Sequence, residues 1–135
     1  MIYCDLLGVL VQQTGREGIA HMPWAFGGRK IWDYIKDDKP IILAQCRLEE
    51  YEKLYQEHRD WIDRELGVNV RLFCVTDDIH KSVVCEPGDT LIDDNHKYRQ
   101  GWSECGGHFI HHNPISPDKT IEMIAKRKQA SNGNL

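Results

Sequence analysis

The sequence predicts an α/β protein, a three-layer α/β sandwich around a five-stranded, mostly parallel sheet with no substantial cap. Three observations predict it. Short apolar runs of β type alternate with helical patterns, the mark of successive βα units. Two of those runs stop at aspartates, Asp5 and the pair Asp93-Asp94. A chain of 135 residues suits one core, with little room for a second. We read one domain over residues 1–130 and a disordered polar tail over 131–135.

The first strand is Ile2-Tyr3-Cys4, broken by Asp5 and Gly8. Residues 11–38, which carry His21, Trp24, Phe26 and Trp32, read as a loop followed by a short helix. That stretch is too short for a folded cap domain. The second strand is Ile41-Ile42-Leu43-Ala44, introduced by Lys39-Pro40. The longest helix runs from Leu48 to Leu66, with Leu48, Tyr51, Leu54, Tyr55, Trp61 and Ile62 on one face at steps of three and four. Gly67 follows as a left-handed stop. Val70 to Val75 is the third strand, Thr90-Leu91-Ile92 the fourth and Gly107 to Ile110 the fifth. A helix near His96 to Cys105 separates the last two. A final helix begins at Ser116-Pro117, a cap followed by proline in the first turn.

Composition narrows the function classes. Hydrophobic residues at 41% and charged residues at 28% are those of a globular domain. A formal charge of -4 argues against strong nucleic-acid binding, which takes a basic surface. No apolar run approaches the ~20 residues of a membrane helix, and the first residues lack the basic, then apolar, pattern of a signal peptide. The five cysteines are an odd set without a CxxC pair, read as reduced thiols of a cytoplasmic protein.

The chemistry lies where the strands end. In a parallel sheet, ligands bind in the crevice outside the carboxyl ends of the strands, where Asp5, Asp93 and Asp94 would converge. Three carboxylates repel one another unless a cation neutralises them, and hard oxygen donors suit Mg²⁺ completed by water and a phosphate. Lys81, ahead of the fourth strand, adds positive charge for a phosphate or for the nucleophile; Lys97 and Lys30 are the lysines most easily confused with it.

The run Ile2 to Leu10 (Ile-Tyr-Cys-Asp-Leu-Leu-Gly-Val-Leu) resembles the first motif of the haloacid dehalogenase-like (HAD) hydrolases, an apolar strand followed by Asp-x-Asp-Gly-(Thr/Val)-Leu. Lys81 with Gly88-Asp89-Thr90-Leu91-Ile92-Asp93-Asp94 resembles the third and fourth motifs, in a form similar to deoxyribonucleotidases and small phage-type phosphatases. Gly101-Trp102 and Gly106-Gly107 resemble the helix and fifth strand that follow. The resemblance spans roughly residues 1–113 and implies a HAD-like Rossmannoid fold. It also implies a Mg²⁺ cofactor held by Asp5, the Leu7 carbonyl, Asp93 and Asp94, with Asp5 as nucleophile and Lys81 holding the negative charge. The implied reaction is phosphoryl transfer to aspartate followed by hydrolysis, on phosphomonoesters that include nucleotides.

Two positions depart from the pattern. The second aspartate of the first motif, the family's proton donor and acceptor, falls on Leu7. Such proton transfer contributes about 10²–10⁴-fold in rate. The second-motif hydroxyl falls on Ala44, which removes one phosphate hydrogen bond of about 1–3 kcal/mol; the Gln45 amide is the candidate replacement in substrate binding beside Ala44 and Lys81. Four readings follow: a weakened phosphatase limited to good leaving groups, different chemistry on the same fold, a degenerate module that binds a phosphorylated ligand or partner without turnover, or a variant Leu7 in an active phosphatase. An enzyme needs a substitute acid or base, for which His21 and Gln45 are candidates.

The expected partner is a small phosphorylated molecule or nucleotide, and the expected assembly a monomer or weak homodimer. His108-Phe109-Ile110-His111-His112 reads as strand-end histidines, since alternation puts His108 and His111 on opposite faces. Trp24 and Phe26 are the base-stacking candidates.

Overall fold

The computed structural model describes residues 1–12 and 18–133. Its strands are β1 (Ile2–Cys4), β2 (Ile41–Cys46), β3 (Leu72–Thr76), β4 (Thr90–Asp93) and β5 (His108–His111). The helices are α1 (Gly28–Ile35), α2 (Tyr51–Glu65), α3 (Arg99–Glu104) and α4 (Pro117–Gly133). All strand pairings are parallel, in the order β3-β2-β1-β4-β5. This is the expected α/β sheet, and parallel throughout.

Strand alternation divides the apolar residues between two faces. Cys4, Ile42, Ala44, Ile92 and Ile110 face a core that also takes Ile31, Trp32 and Ile35 of α1, Trp61 and Ile62 of α2, and Ile124 of α4. Tyr3, Ile41, Leu43, Leu91 and Phe109 face a smaller core closed by Tyr98 and Trp102. These are the three layers, and the second is thin because, among the described residues, α3 alone supplies its helix. The segment between β1 and β2 belongs to the larger core: Ile19 and Met22 are buried there. Trp61 Nε1 donates to the Met22 carbonyl at 2.9 Å and Arg64 donates to the Ala20 carbonyl at 2.7 Å, pinning that segment to α2.

Several boundaries differ from those expected. β2 continues through Gln45 and Cys46, because β3 pairs with it out to Cys46↔Thr76. β3 begins at Leu72, since Val70 belongs to the turn after Gly67, where its amide bonds back to the Gly67 carbonyl. Leu48 is exposed rather than inward. It lies in a 3-10 turn, Leu48–Glu50, ahead of α2, and the tighter pitch takes it off the buried face. A similar turn, His96–Tyr98, precedes α3. Helix α4 runs to Gly133, beyond the boundary at 130; residues 134–135 lie outside the described ones.

The order of strands positions the site. Sequence order reverses between β1 and β4, the switch point where open α/β sheets hold ligands. Cys4 pairs with Ile92, so the next residues, Asp5 and Asp93, stand abreast at the carboxyl edge.

Trp102 is fully buried, stacks edge-on to Tyr3 with centroids 5.5 Å apart, and donates from Nε1 to the Asp89 carbonyl at 3.0 Å. Gly107 is required beside it, because a Cβ there would lie 2.4 Å from Trp102 Nε1. Trp102→Ala should therefore cost about 3–5 kcal/mol, read as a lower midpoint in urea unfolding at unchanged slope.

Candidate active site

Asp5 follows β1 at once, and its amide donates to the Ile92 carbonyl at 2.9 Å, so its place is set by the β1–β4 ladder. The chain then turns sharply. The Leu6 carbonyl accepts from Val9, Leu10 and Val11, and Gly8 takes φ +88°. A side chain at Gly8 is barred twice, by that φ and by Asp94, whose Oδ2 would lie 2.1 Å from its Cβ. The turn thus brings Asp94 against the backbone after Asp5.

Oxygen atoms of Asp5, Asp93 and Asp94 lie within 4.8 Å of one another. Lys81 reaches them from the 3-10 turn Lys81–Val84. It is 2% exposed, and its Nζ donates to Asp5 Oδ1 at 3.0 Å and to Asp93 Oδ2 at 2.8 Å. Asp93 Oδ1 accepts from the Asn95 amide at 2.9 Å. His80 caps the Lys81 turn, its Nδ1 accepting from the Ser82 amide at 3.0 Å. Its ring lies edge-on to Tyr98 and against Gly101, where a Cβ would come within 2.7 Å. The packing of α3 therefore locates the lysine.

Three carboxylates against one ammonium leave two negative charges when all are ionised. Burial pushes the Asp5 carboxyl well above the usual carboxylate range; Lys81 opposes the rise, and Asp93 and Asp94 add to it. Burial raises Asp94 as well. Burial by itself lowers Lys81, but Asp5 and Asp93 outweigh it and hold the ammonium charged. The cluster has the charge and the hard donors of a divalent-cation site. Asp5, Asp93 and Asp94 are the side chains able to hold such an ion. Leu7 lines the same cavity, and its carbonyl accepts no backbone hydrogen bond among the described residues.

These groups floor a cavity of about 440 Å³, lined also by Ala44, Gln45, His58, Asn95, His96, Lys97 and Tyr98. All the sequence candidates, Asp5, Leu7, Ala44, Gln45, Lys81, Asp93 and Asp94, meet there. Gln45 is already engaged: its Oε1 accepts from the Tyr98 hydroxyl at 2.9 Å and its Nε2 donates toward the Thr76 carbonyl at 3.4 Å. His21 is exposed and is not among the residues lining the cavity. Lys30 pairs with Asp118 on the surface, while Lys97 stands at the cavity.

Sequence reasoning missed His58, Asn95, His96 and Tyr98 as cavity residues. For His58 the signal was present, since it falls at the three- and four-residue spacing of Tyr51, Leu54, Tyr55, Trp61 and Ile62. The terminal histidines go to separate partners. His108 is exposed, His111 stacks on His96 with centroids 3.6 Å apart, and His112 is buried with Nδ1 2.7 Å from Thr120 Oγ1. Trp24 is an anchor, edge-on to Trp61 at 5.0 Å with the Arg29 guanidinium over its ring. Phe26 remains 74% exposed.

No family model matches the sequence, and no curated protein matches it. Among solved structures the chain is similar to a D,D-heptose 1,7-bisphosphate phosphatase from Burkholderia thailandensis, with 11% identity, a TM-score of 0.49, and coverage of 90% of this chain and 83% of that one. A likeness that distant carries no argument about chemistry. Among the described residues no helix is long and apolar enough to cross a membrane.

Two outcomes follow from the charges. The fold holds Asp5 and Asp94 with raised pKa values, so it favours their protonated forms; that contribution is present in acid and lost as pH rises through the raised values. A divalent cation needs the ionised forms. The rise in melting temperature on adding Mg²⁺ should therefore grow as pH rises from the ordinary carboxylate range to neutral, measured as the difference between paired melts. Lys81→Met strands two buried carboxylates and should cost about 3–5 kcal/mol, part of it recovered by Mg²⁺ in chemical denaturation.

Proposed function

We propose that this protein is a Mg²⁺-dependent, HAD-like phosphohydrolase acting on phosphomonoesters, nucleotides among them, through an aspartyl-phosphate on Asp5. The observation that carries the reading is the buried Lys81 bridging Asp5 and Asp93 beside Asp94 at the switch point of a parallel sheet. A residual charge of two negatives is what one Mg²⁺ balances, and the ion would supply electrostatic stabilisation of the transferring phosphoryl group.

Within that reading Asp5 attacks phosphorus in line, the bond to the leaving oxygen breaks, and the oxygen departs with its electron pair. Lys81 opposes the rise that burial imposes on Asp5 and orients it through Oδ1. Water then cleaves the aspartyl-phosphate and restores Asp5. Leu7, aliphatic and at the cavity wall, gives the leaving oxygen no proton, so substrates with stable leaving anions are favoured. A second cleft of about 500 Å³ shares Asp94 with the first and is lined by Gly8, Val11, Gln12, Ala25, Phe26, Pro114 and Ile115. It supports a substrate with an apolar or aromatic group beyond the phosphate, such as a nucleoside. The proposed location is the cytoplasm and the proposed assembly a monomer or weak homodimer.

Leu7 also favours a second reading, a module on the same scaffold that binds a phosphorylated ligand without turnover. Hydrolysis of p-nitrophenyl phosphate separates the two, because nitrophenolate leaves without a proton. The native chain should turn over with Mg²⁺, Asp5→Asn should be inactive, and Leu7→Asp should be faster by about 10²-fold or more on a phenyl or alkyl phosphate. Turnover by Leu7→Asp alone would assign the native chain to the binding module. Inactivity of all folded variants, with Mg²⁺ present, would end the phosphatase reading.

A further inference from the structure

A buried histidine lines the cavity without joining the carboxylate–lysine cluster. His58 projects from α2, is 2% exposed, and borders the cavity beside Ala44 and Gln45. Its Nδ1 lies 2.6 Å from the Leu54 carbonyl, one turn back on the helix. A carbonyl only accepts, so this nitrogen carries a proton. Cys46 Sγ lies 4.0 Å from the same nitrogen. Both neighbours engage Nδ1, which leaves Nε2 as the polar atom for the cavity.

The strand beneath makes that exposure possible. Ala44 and Cys46 share one face of β2 by alternation, and Ala44 places only a methyl group at the cavity wall. Across the cavity, Lys81 is committed to Asp5 and Asp93, and Gln45 to Tyr98 and Thr76. Among the described residues lining the cavity, His58 when protonated is a cationic donor free to meet an oxyanion seated above Asp5 on the β2 side.

We infer that His58 is the oxyanion-binding residue on the β2 side of this site, donating from Nε2 as an imidazolium to a phosphoryl oxygen. The inference rests on reading the cavity as a phosphate site. It adds to that reading a ligand requirement: an oxygen with a full negative charge turned toward β2, taken up together with a proton. Titratable and charged groups lie around the ring on β2, at the cavity and on α2. On β2 the Cys46 thiol is drawn down to about 5, first by its hydrogen bond with Cys74 on β3 and then by His58 itself. Asp5, the paired Lys81 and Tyr98 line the same cavity. On α2 its neighbour Arg59 is tied to Asp63, and Glu57 lies on the side toward Gly18.

The test uses the full chain saturated with Mg²⁺, so that the carboxylates have already released their protons. Tungstate, a phosphate-like oxyanion that stays doubly deprotonated through neutral pH, is titrated calorimetrically in buffers of different ionisation heat. The native protein should take up a proton on binding, with affinity falling as pH rises. His58→Gln should bind about ten- to a hundredfold more weakly and without proton uptake. Nitrogen-15 spectra of the native imidazoles give a readout free of any folding defect: the His58 Nε2 signal should move to its protonated position when tungstate binds. Mg²⁺-dependent binding without proton uptake and with that signal unmoved would overturn the role of His58 and leave the phosphate site standing. Absence of tungstate binding by the native chain would overturn both.

Discussion

A lysine ammonium that is 2% exposed stands in a protein interior only where anionic partners replace its water. Lys81 has two, at 2.8 and 3.0 Å, and much of the surrounding structure follows from keeping them in reach. The β1–β4 pairing sets Asp5 and Asp93 side by side. The His80 cap and the close seat of its ring on Gly101 fix the turn that carries the lysine. Trp102, bonded to the Asp89 carbonyl just ahead of β4, ties the same helix to the strand that ends in Asp93. The thin second layer of the sandwich is thus a mounting for one ammonium group.

That arrangement leaves the site short of positive charge. One lysine meets three carboxylates, and the raised Asp5 and Asp94 register the imbalance. A cluster of this kind is costly to an apo protein and suited to a divalent cation, which removes the repulsion that folding leaves in place. Gly8 is the backbone counterpart of the same constraint: only a residue without a Cβ lets Asp94 approach the turn after Asp5.

The proton chemistry is unevenly supplied. Leu7 contributes an aliphatic wall and Ala44 a methyl, where an acid and a hydroxyl would make a conventional phosphatase site on the resemblance drawn from Asp5, Lys81 and Asp93-Asp94. The polar side chains bordering those two positions are held: Gln45 by Tyr98 and Thr76, Asp93 by Lys81 and the Asn95 amide. His58 enters the wall beside Ala44, with one nitrogen committed to its own helix. On the phosphatase reading we propose, the site is accordingly better equipped to hold a phosphoryl group than to protonate a leaving group.

The sequence by itself determined the sheet, its helices and the acidic edge. Period-two and three-to-four-residue apolar patterns are local, and an aspartate that ends an apolar run marks a strand's carboxyl end wherever the strand lies. Asp5, Asp93 and Asp94 were legible for that reason, Lys81 from its place ahead of the fourth strand, and the anomaly at Leu7 from the resemblance to the first HAD motif. Only the tertiary structure decided which lysine is buried, since Lys30, Lys81 and Lys97 differ in packing and not in chemistry. It also decided that Gln45 is occupied by a tyrosine 53 residues away, and that His58 borders the cavity. His58 lies on the buried stripe of α2, where spacing announces burial alone; what it meets there depends on β2 lying beneath it and on a methyl group at Ala44. Contacts between elements remote in sequence are set by packing, which no local pattern encodes.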